Sequence, residues 1–580
     1  MSKRTQRLLT LALVFVCQEL LAAEIRTAPN VTKAGYREGP PAGKQWKMVW
    51  NDEFDGTTVD ANKWNVQSQP TWNWPGVKTK ESTASLSLDG QGSLVLQLTQ
   101  DADGTVRYHP GMNSRFEKAY GYFETRVQFS RQPGWWTAVW LAGYPYDDGP
   151  DAFVNSQEFD IFEDFYKPKN QDDIQHCYHC SAVCGFGTET VAAGYGKYGK
   201  VIEVRDVVRV SAPKKVILEE YAGWHTVGFQ WTPLEHIFYV DGQETFRMNY
   251  REVPVTTVPQ KVWISSCLRV PTDKDAKPFY GRLEEAKFPD RLMVDYVRVY
   301  EEDPGARKPP AVTLAMNGTG PVKKGEPVKF DVSATDADGK VVSVMLFSMG
   351  RLRAEAVADS AEAKTTFNVD SLFLGPNTVI AMAKDDGGLV GMSAPLRVEV
   401  VTGREYTGTP YGGKPQAIPG KITAGHYDLG GQGVAYFTSR TDSKNPDLKF
   451  RADEIGLTNT PEAIPVGGSG ACGWATYTVA VEKPGEYEVE LFLNRPDYYT
   501  RGMATGEKTE VIQLDVDQQK LAEWGVSSQW TSRPTWRVPI KPVGRQKVRL
   551  TVGQHKLIVR FDRVQTDGFH FGGFEFKPVP

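Results

Sequence analysis

Gln157-Glu158-Phe159-Asp160-Ile161-Phe162-Glu163-Asp164-Phe165 interleaves carboxylates with large apolar residues. Solvated charge runs do not alternate with Phe and Ile in this way. The pattern reads as a β-strand with acids on one face and apolar residues on the other. In a regular strand Glu158 and Asp160 share a face, while Glu163 points the opposite way. One extra residue between Asp160 and Glu163, taken up as a β-bulge, returns Glu163 to the acidic face. Three carboxylates would then line one cleft.

Like charges a few ångströms apart raise one another's pKa, so one acid of such a cluster tends to keep its proton near neutral pH. Glycoside hydrolysis needs that arrangement. One carboxylate attacks the anomeric carbon, a protonated acid donates to the leaving oxygen, and a separation of about 5 Å between them goes with retention of configuration. The competing readings are a calcium site and a solvated strand face. Calcium loops are rich in Asp, Asn and Gly rather than Phe and Ile, which favours catalysis.

The surrounding 580 residues are 40% hydrophobic and 24% charged, ordinary for globular protein, and long enough for three or four domains. Net charge is -4 with no long basic run, which argues against a nucleic-acid partner. Aromatics make up 11%, with 15 Trp, a supply suited either to stacking on sugar rings or to large β-cores. Lys3, Arg4 and Arg7, the apolar run Leu8 to Val16, and Ala22-Ala23 read as a signal peptide over residues 1–23. The run is short for a membrane span, and no later stretch is long and apolar enough for a transmembrane helix. Cys17 follows Val16 rather than a small residue, which disfavours lipid attachment. The expectation is an exported protein, secreted, periplasmic or at the cell surface. Beyond the signal lie Cys177, Cys180, Cys184, Cys267 and Cys472, an odd set in which some disulfide pairing is expected. His176-Cys177-Tyr178-His179-Cys180 has zinc-like spacing, but no second ligand pair follows it.

Residues 24–44 are rich in small residues, Pro and Gly, and read as a linker. From Trp46 to Tyr300 strand-like alternation and turn residues dominate, and His236 to Val240 before Asp241-Gly242 signals a hairpin. About 250 residues of short strands suit one β-sandwich. A charged, Pro-rich break from Glu301 to Pro310 follows. Residues 311–402 then carry the short strands of an immunoglobulin-like sandwich. Gly403 to Pro415 reads as a second linker, and residues 416–580 as a third all-β unit.

The first unit, roughly residues 45–302, resembles glycoside hydrolase family 16. The resemblance rests on five ordered motifs beside the acids: Val49 to Gly56, Tyr120-Gly121-Tyr122-Phe123-Glu124, Pro133 to Leu141, Trp224 to Pro233, and Val294 to Tyr300. It implies a β-jelly-roll catalytic domain with retaining chemistry, Glu158 as nucleophile, Glu163 as acid/base and Asp160 as the assisting acid. Two residues between Asp160 and Glu163 resemble the branch of laminarinases, agarases, porphyranases and carrageenases. The middle unit is similar to bacterial immunoglobulin-like modules, turning at Asp336-Ala337-Asp338-Gly339, with an expected role as a spacer. The last unit resembles family 6 carbohydrate-binding modules through Ile418 to Ala424, Gly433 to Tyr436, Gly473 to Tyr477 and Gly553 to Leu557. It departs from them at Gly425-His426 and around Asp567-Gly568-Phe569. Tyr436 and Trp530 are its candidate sugar platform, with Trp536 either platform or core.

Around the acids, Trp136 and Trp140 share a strand face and are candidates to stack on sugar, while Trp135 takes the other face. The resemblance also points to Asn113 and Arg115 as cleft residues. It suggests that His176 or His179 tunes the acid/base by a hydrogen bond. The resemblance further implies that Glu53 and Asp295, on terminal strands that pair in that family, are candidate ligands of a structural calcium, and that no cofactor is required for the chemistry. The expected enzyme is an endo-acting monomer whose partner is a β-linked polysaccharide. Trp136 to Trp140 is nearest the laminarinase pattern, so β-1,3-glucan comes first. Agar, porphyran and carrageenan follow, since the insertion from Thr188 to Leu218 brings Lys197, Lys200, Arg205, Arg209, Lys214 and Lys215. That insertion also reads as a plain basic hairpin. A non-catalytic binding protein and a transglycosylase are the remaining classes.

Overall fold

The computed structural model describes residues 30–66, 76–130, 132–142, 156–165, 173–181, 190–195, 199–204, 207–211, 214–268, 281–318, 322–372, 375–401, 406–431, 434–438, 462, 464–466, 473–493, 509–517, 519–527, 540–562 and 569–579. The segment with the signal-peptide pattern, Cys17, Cys184, Cys472, Trp530 and Trp536 lie outside them. So do the side chains of His176, Cys177, His179 and Cys180.

The chain is all-β, as its alternation predicts. Strands up to Asp303 form two large sheets. The acid-bearing sheet runs in the order Thr190–Tyr195, Gly199–Val204, Val207–Ser211, Asp173–Ser181, Ser156–Phe165, Trp135–Ala142, Gln260–Leu268, Gly111–Lys118, Trp64–Val66. The second sheet centres on His225–Trp231, Gly121–Gln128 and Asp290–Asp303, with Gln45–Asp52 paired to the last of these. This is a jelly-roll-type sandwich. Its two inner faces meet through large rings: Phe159 lies 4.9 Å from Phe229 and 5.1 Å from Trp231, and Phe162 5.0 Å from Phe129, centroid to centroid. Burying these rings inward commits the alternate positions of each strand to the outer face.

The hairpin at Asp241-Gly242 forms as its sequence predicts. Val240 pairs with Gln243, and both turn residues take positive φ, 52° and 70°, as a two-residue turn of this hand requires. The basic insertion is neither loop nor simple hairpin. Its strands extend the acid-bearing sheet beyond Asp173–Ser181, through Val207–Ser211 and Lys214–Leu218.

The expected linker at 24–44 is corrected from Asn30 onward. Asn30–Val31 pairs in parallel with Ile217 and Leu218, Val31 is buried, and the Gly39 N–H donates to both oxygens of the buried Glu124 at 2.9 and 3.0 Å. Apolar Val31 and the exposed main-chain edge of Lys214–Leu218 satisfy one another, so the segment docks rather than links.

Residues 311–401 form a three-stranded sheet (Ala311–Asn317, Val328–Thr335, Glu362–Val369) facing a six-stranded one built on Val341–Ser348 and Gly375–Asp385. The spacer role expected for this unit needs revision, because it shares a core with the first unit. Phe347, Met349, Ile380 and Met382 belong to the same apolar cluster as the first sandwich. The Tyr250 hydroxyl donates to Glu355 at 3.0 Å, and the Val255 N–H to the Gly350 carbonyl at 3.0 Å. A third sandwich follows, with sheets centred on Gly473–Val481 and Gly553–Asp562, and on Gly485–Leu493 and Phe569–Pro578. The stretch read as a second linker is docked on it: Tyr406 donates to Asp428 at 2.8 Å and Thr409 bridges to Leu429.

Candidate active site

The bulge expected between Asp160 and Glu163 is present. Glu158 and Asp160 pair with Ala142 and Trp140 on one side and with His179 and Cys177 on the other; after the irregularity Glu163 pairs with Ala138 and Gln175. Phe159, Ile161 and Phe162 are all in the core. The two consecutive core residues, Ile161 and Phe162, are the physical form of the bulge, since a regular strand would turn one of them outward.

Register then builds the outer face row by row. Glu158, Ala142 and Lys261 form one row, Asp160, Trp140, Trp263, Asn113 and Asn65 the next, and Glu163, Ala138, Ser265 and Gly111 the third. The two glutamates stand opposite alanines, which leave open space above the sheet, and the aspartate between them stands opposite an indole. Glu158 is partly exposed, whereas Asp160 and Glu163 are buried. Asp164 is on the inner side, where Ser130 donates to it at 3.2 Å, and takes no part in the outer row.

Trp136 and Trp140 share the outer face, and Trp135 is in the core, as alternation predicts. Trp140 is fixed more firmly than alternation alone implies. Its ring stacks on Trp263 at 4.7 Å and 24°, and its Nε1–H donates to Ser265 Oγ at 3.0 Å. Asn113 is buried on the same row and accepts from Asn65 Nδ2 at 3.2 Å. Arg115 lies two positions further along, exposed at the sheet margin, with Nε donating to the Ala61 carbonyl at 2.7 Å. The expected hydrogen bond from His176 or His179 to the acid/base rests on side chains outside the described residues, and only the main-chain register is described there. Gln175 is the residue opposite Glu163, His179 is opposite Glu158, and His176 pairs with Lys214.

Trp263, Ser265 and Asn65 were not legible as site residues in the sequence. They reach the acids only through strand order, Gln260–Leu268 lying next to Trp135–Ala142 although well over a hundred residues separate them. Gly111 shows how closely these strands approach. Its φ is +121°, and a Cβ there would lie 2.1 Å from the Ile264 carbonyl oxygen. Beside it, His109 Nδ1 accepts the Gly111 N–H at 3.0 Å, and burial lowers this imidazole from 6.5 to about 4.

The calcium expected at Glu53 and Asp295 does not fit those side chains. Arg298 donates to both oxygens of Glu53 at 3.0 and 2.8 Å, and Arg126 donates to Asp295 at 2.7 Å. The Arg298 bond holds Glu53 below its ordinary range. Each carboxylate already has its counter-charge. Among the described residues no group of three His, Cys, Asp or Glu gathers that could hold a metal. In the C-terminal unit, Tyr436 is corrected from platform to core. It is 2% exposed and packs edge-on against Tyr427 at 5.4 Å. At that burial the ring has no open face for sugar.

The two-sheet sandwich thus carries a bulged carboxylate trio flanked by indoles on its outer face. Residues 65–278 match the family described as "Glycosyl hydrolases family 16". A keratan-sulfate endo-1,4-beta-galactosidase from Sphingobacterium multivorum is 23% identical, over 50% of this chain and 64% of that protein. Glucan endo-1,3-beta-glucosidase A1 from Niallia circulans is 22% identical, over 45% of this chain and 39% of that protein. Beta-porphyranase D from Zobellia galactanivorans is 28% identical, over 26% of this chain and 39% of that protein. The chain thus spans less than two thirds of the length of each.

Proposed function

We propose that this chain is an exported, endo-acting, retaining glycoside hydrolase of a β-linked polysaccharide. The observation that carries the reading is the bulge after Asp160, which brings Glu158, Asp160 and Glu163 to one face over two alanines. Glu158, the most accessible of the three, attacks the anomeric carbon. Glu163 protonates the departing glycosidic oxygen, then takes a proton from the water that releases the sugar from Glu158. Asp160 lies between them on the same face, as the assisting acid. A binding protein would have no use for three clustered like charges, two of them buried.

β-1,3-Glucan is the first substrate we propose, supported by Trp136 to Trp140 and by the relative named for that linkage. A second reading, an anionic galactan, is favoured by Lys261. This half-buried lysine stands on the Glu158 row and makes no ion pair among the described residues. The relatives named for keratan sulfate and porphyran support the same reading. The C-terminal sandwich is proposed as a carbohydrate-binding module, with any platform elsewhere than Tyr436.

Reducing-end release by the purified mature protein tests these readings on laminarin, lichenan, agarose, porphyran and carrageenans, with Glu158→Gln as control. Activity on laminarin that the control lacks supports the glucanase. Activity confined to a sulfated galactan, lost in Lys261→Ala, supports the second reading. Binding without turnover by the wild type refutes the hydrolase.

A further inference from the structure

We infer that Trp263 and Ser265 are positioning residues that hold the indole of Trp140 as a sugar platform beside the acids. The inference rests on the hydrolase reading for its substrate, not for its geometry. Trp140 is partly exposed, opposite Asp160. One face of its ring lies on Trp263 at 4.7 Å, and its N–H is donated to Ser265 Oγ at 3.0 Å. Trp263 is itself 7% exposed, and its own Nε1–H donates to the Ala142 carbonyl at 3.2 Å. It therefore supports the platform without meeting the sugar.

Ser265 pairs with Ala138, whose other neighbour is Glu163. The Ser265 bond thus draws the N–H end of Trp140 from the Asp160 row toward the Glu163 row, over the small side chain of Ala138. An indole fixed by stacking on one face and a hydrogen bond at one edge has little rotamer freedom left to lose when a sugar ring arrives.

A double-mutant cycle tests this. Ser265→Ala should raise KM about three- to tenfold, the size of one net hydrogen bond, with kcat changed less than twofold. Ser265→Thr, which keeps the hydroxyl, should restore it. In a Trp140→Phe background, which has no N–H to hold, Ser265→Ala should add nothing. Equal effects in both backgrounds, or no rescue by Thr, would overturn the inference. The stacked pair is also read without any glycan, as an exciton couplet in circular dichroism. Trp263→Phe should abolish it and Ser265→Ala weaken it, and a spectrum unchanged by both would overturn the inference. Should the wild type turn over no glycan, the hydrolase reading falls while the couplet still decides this one.

Discussion

Ile161 and Phe162 are consecutive in sequence, and both side chains are buried in the core between the two sheets, 1% and 0% exposed. That single departure from alternation returns Glu163 to the face of Glu158. Because both residues gain by burial, the apolar core stabilises a strand irregularity whose consequence lies on the opposite, polar face.

Deleting Ile161 therefore separates fold from chemistry. The remaining run alternates without a break, so all three acids still face outward and the sheet still forms. The strand loses a buried Ile, at a cost of about 2–5 kcal/mol by comparison with truncations of similar size. Glu163 moves along the strand relative to Glu158, and misplacement on the scale of an ångström costs on the order of a hundredfold in rate. Thermal melting should show a cooperative but less stable protein, and hydrolysis should fall by about that factor or more. Undiminished hydrolysis would mean that the bulge does not set the distance between the acids.

The roles of the two glutamates are separable by leaving group and by external nucleophile. Glu163→Gln should lose most activity on polysaccharide, yet retain the first step on an aryl glycoside whose leaving group needs no proton. Glu158→Ala should be inactive on both, with azide restoring turnover to a glycosyl azide of inverted configuration. The product's anomeric configuration, read by NMR, checks the assignment. Rescue of Glu163→Ala with inversion, in place of Glu158→Ala, would exchange the roles.

The acid strand and its bulge were legible because a short apolar–acid alternation has few physical solutions. The face shared by Trp136 and Trp140 was legible for the same reason. Trp263 and Ser265 were not, since Val262-Trp263-Ile264-Ser265-Ser266 reads as any half-buried strand until its neighbour is known. Tyr436 was misread because a Tyr near a module's opening strand looks alike in sequence whether it faces solvent or the inside of the sandwich. The linkers were misread because Pro, Gly and small residues also mark chain that lies flat against a folded domain.

His109 predicts how stability depends on pH. Its folded-state value is depressed from 6.5 to about 4 by burial. The unfolded chain takes up a proton near 6.5, while the folded chain does so only near 4. Stability from this group is thus complete above the upper value, and declines as pH falls toward the lower. Protonating Nδ1 also breaks the bond from Gly111, next to the Ser265 row. Urea unfolding at neutral pH and at about pH 5 should show the wild type losing stability, and His109→Gln losing less. Equal losses in both proteins would assign the pH dependence to other groups.

Phe347 belongs to the middle sandwich by sequence and to the catalytic sandwich by packing. Its ring lies 5.9 Å from Tyr250, and the Arg251 guanidinium pairs with Glu355 alongside. Because Phe347 is fully buried in the shared cluster, truncating it removes contacts on both sides of the junction. Phe347→Ala should cost about 3–5 kcal/mol, as for other buried aromatic truncations. The loss should appear in the unfolding of both units. Calorimetry of the full chain should show them melting together in the wild type and separately in the variant, with the catalytic transition at the lower temperature. Independent transitions already present in the wild type would mean that the interface adds no cooperativity, and residues 311–401 would then be the simple spacer that their sequence suggests.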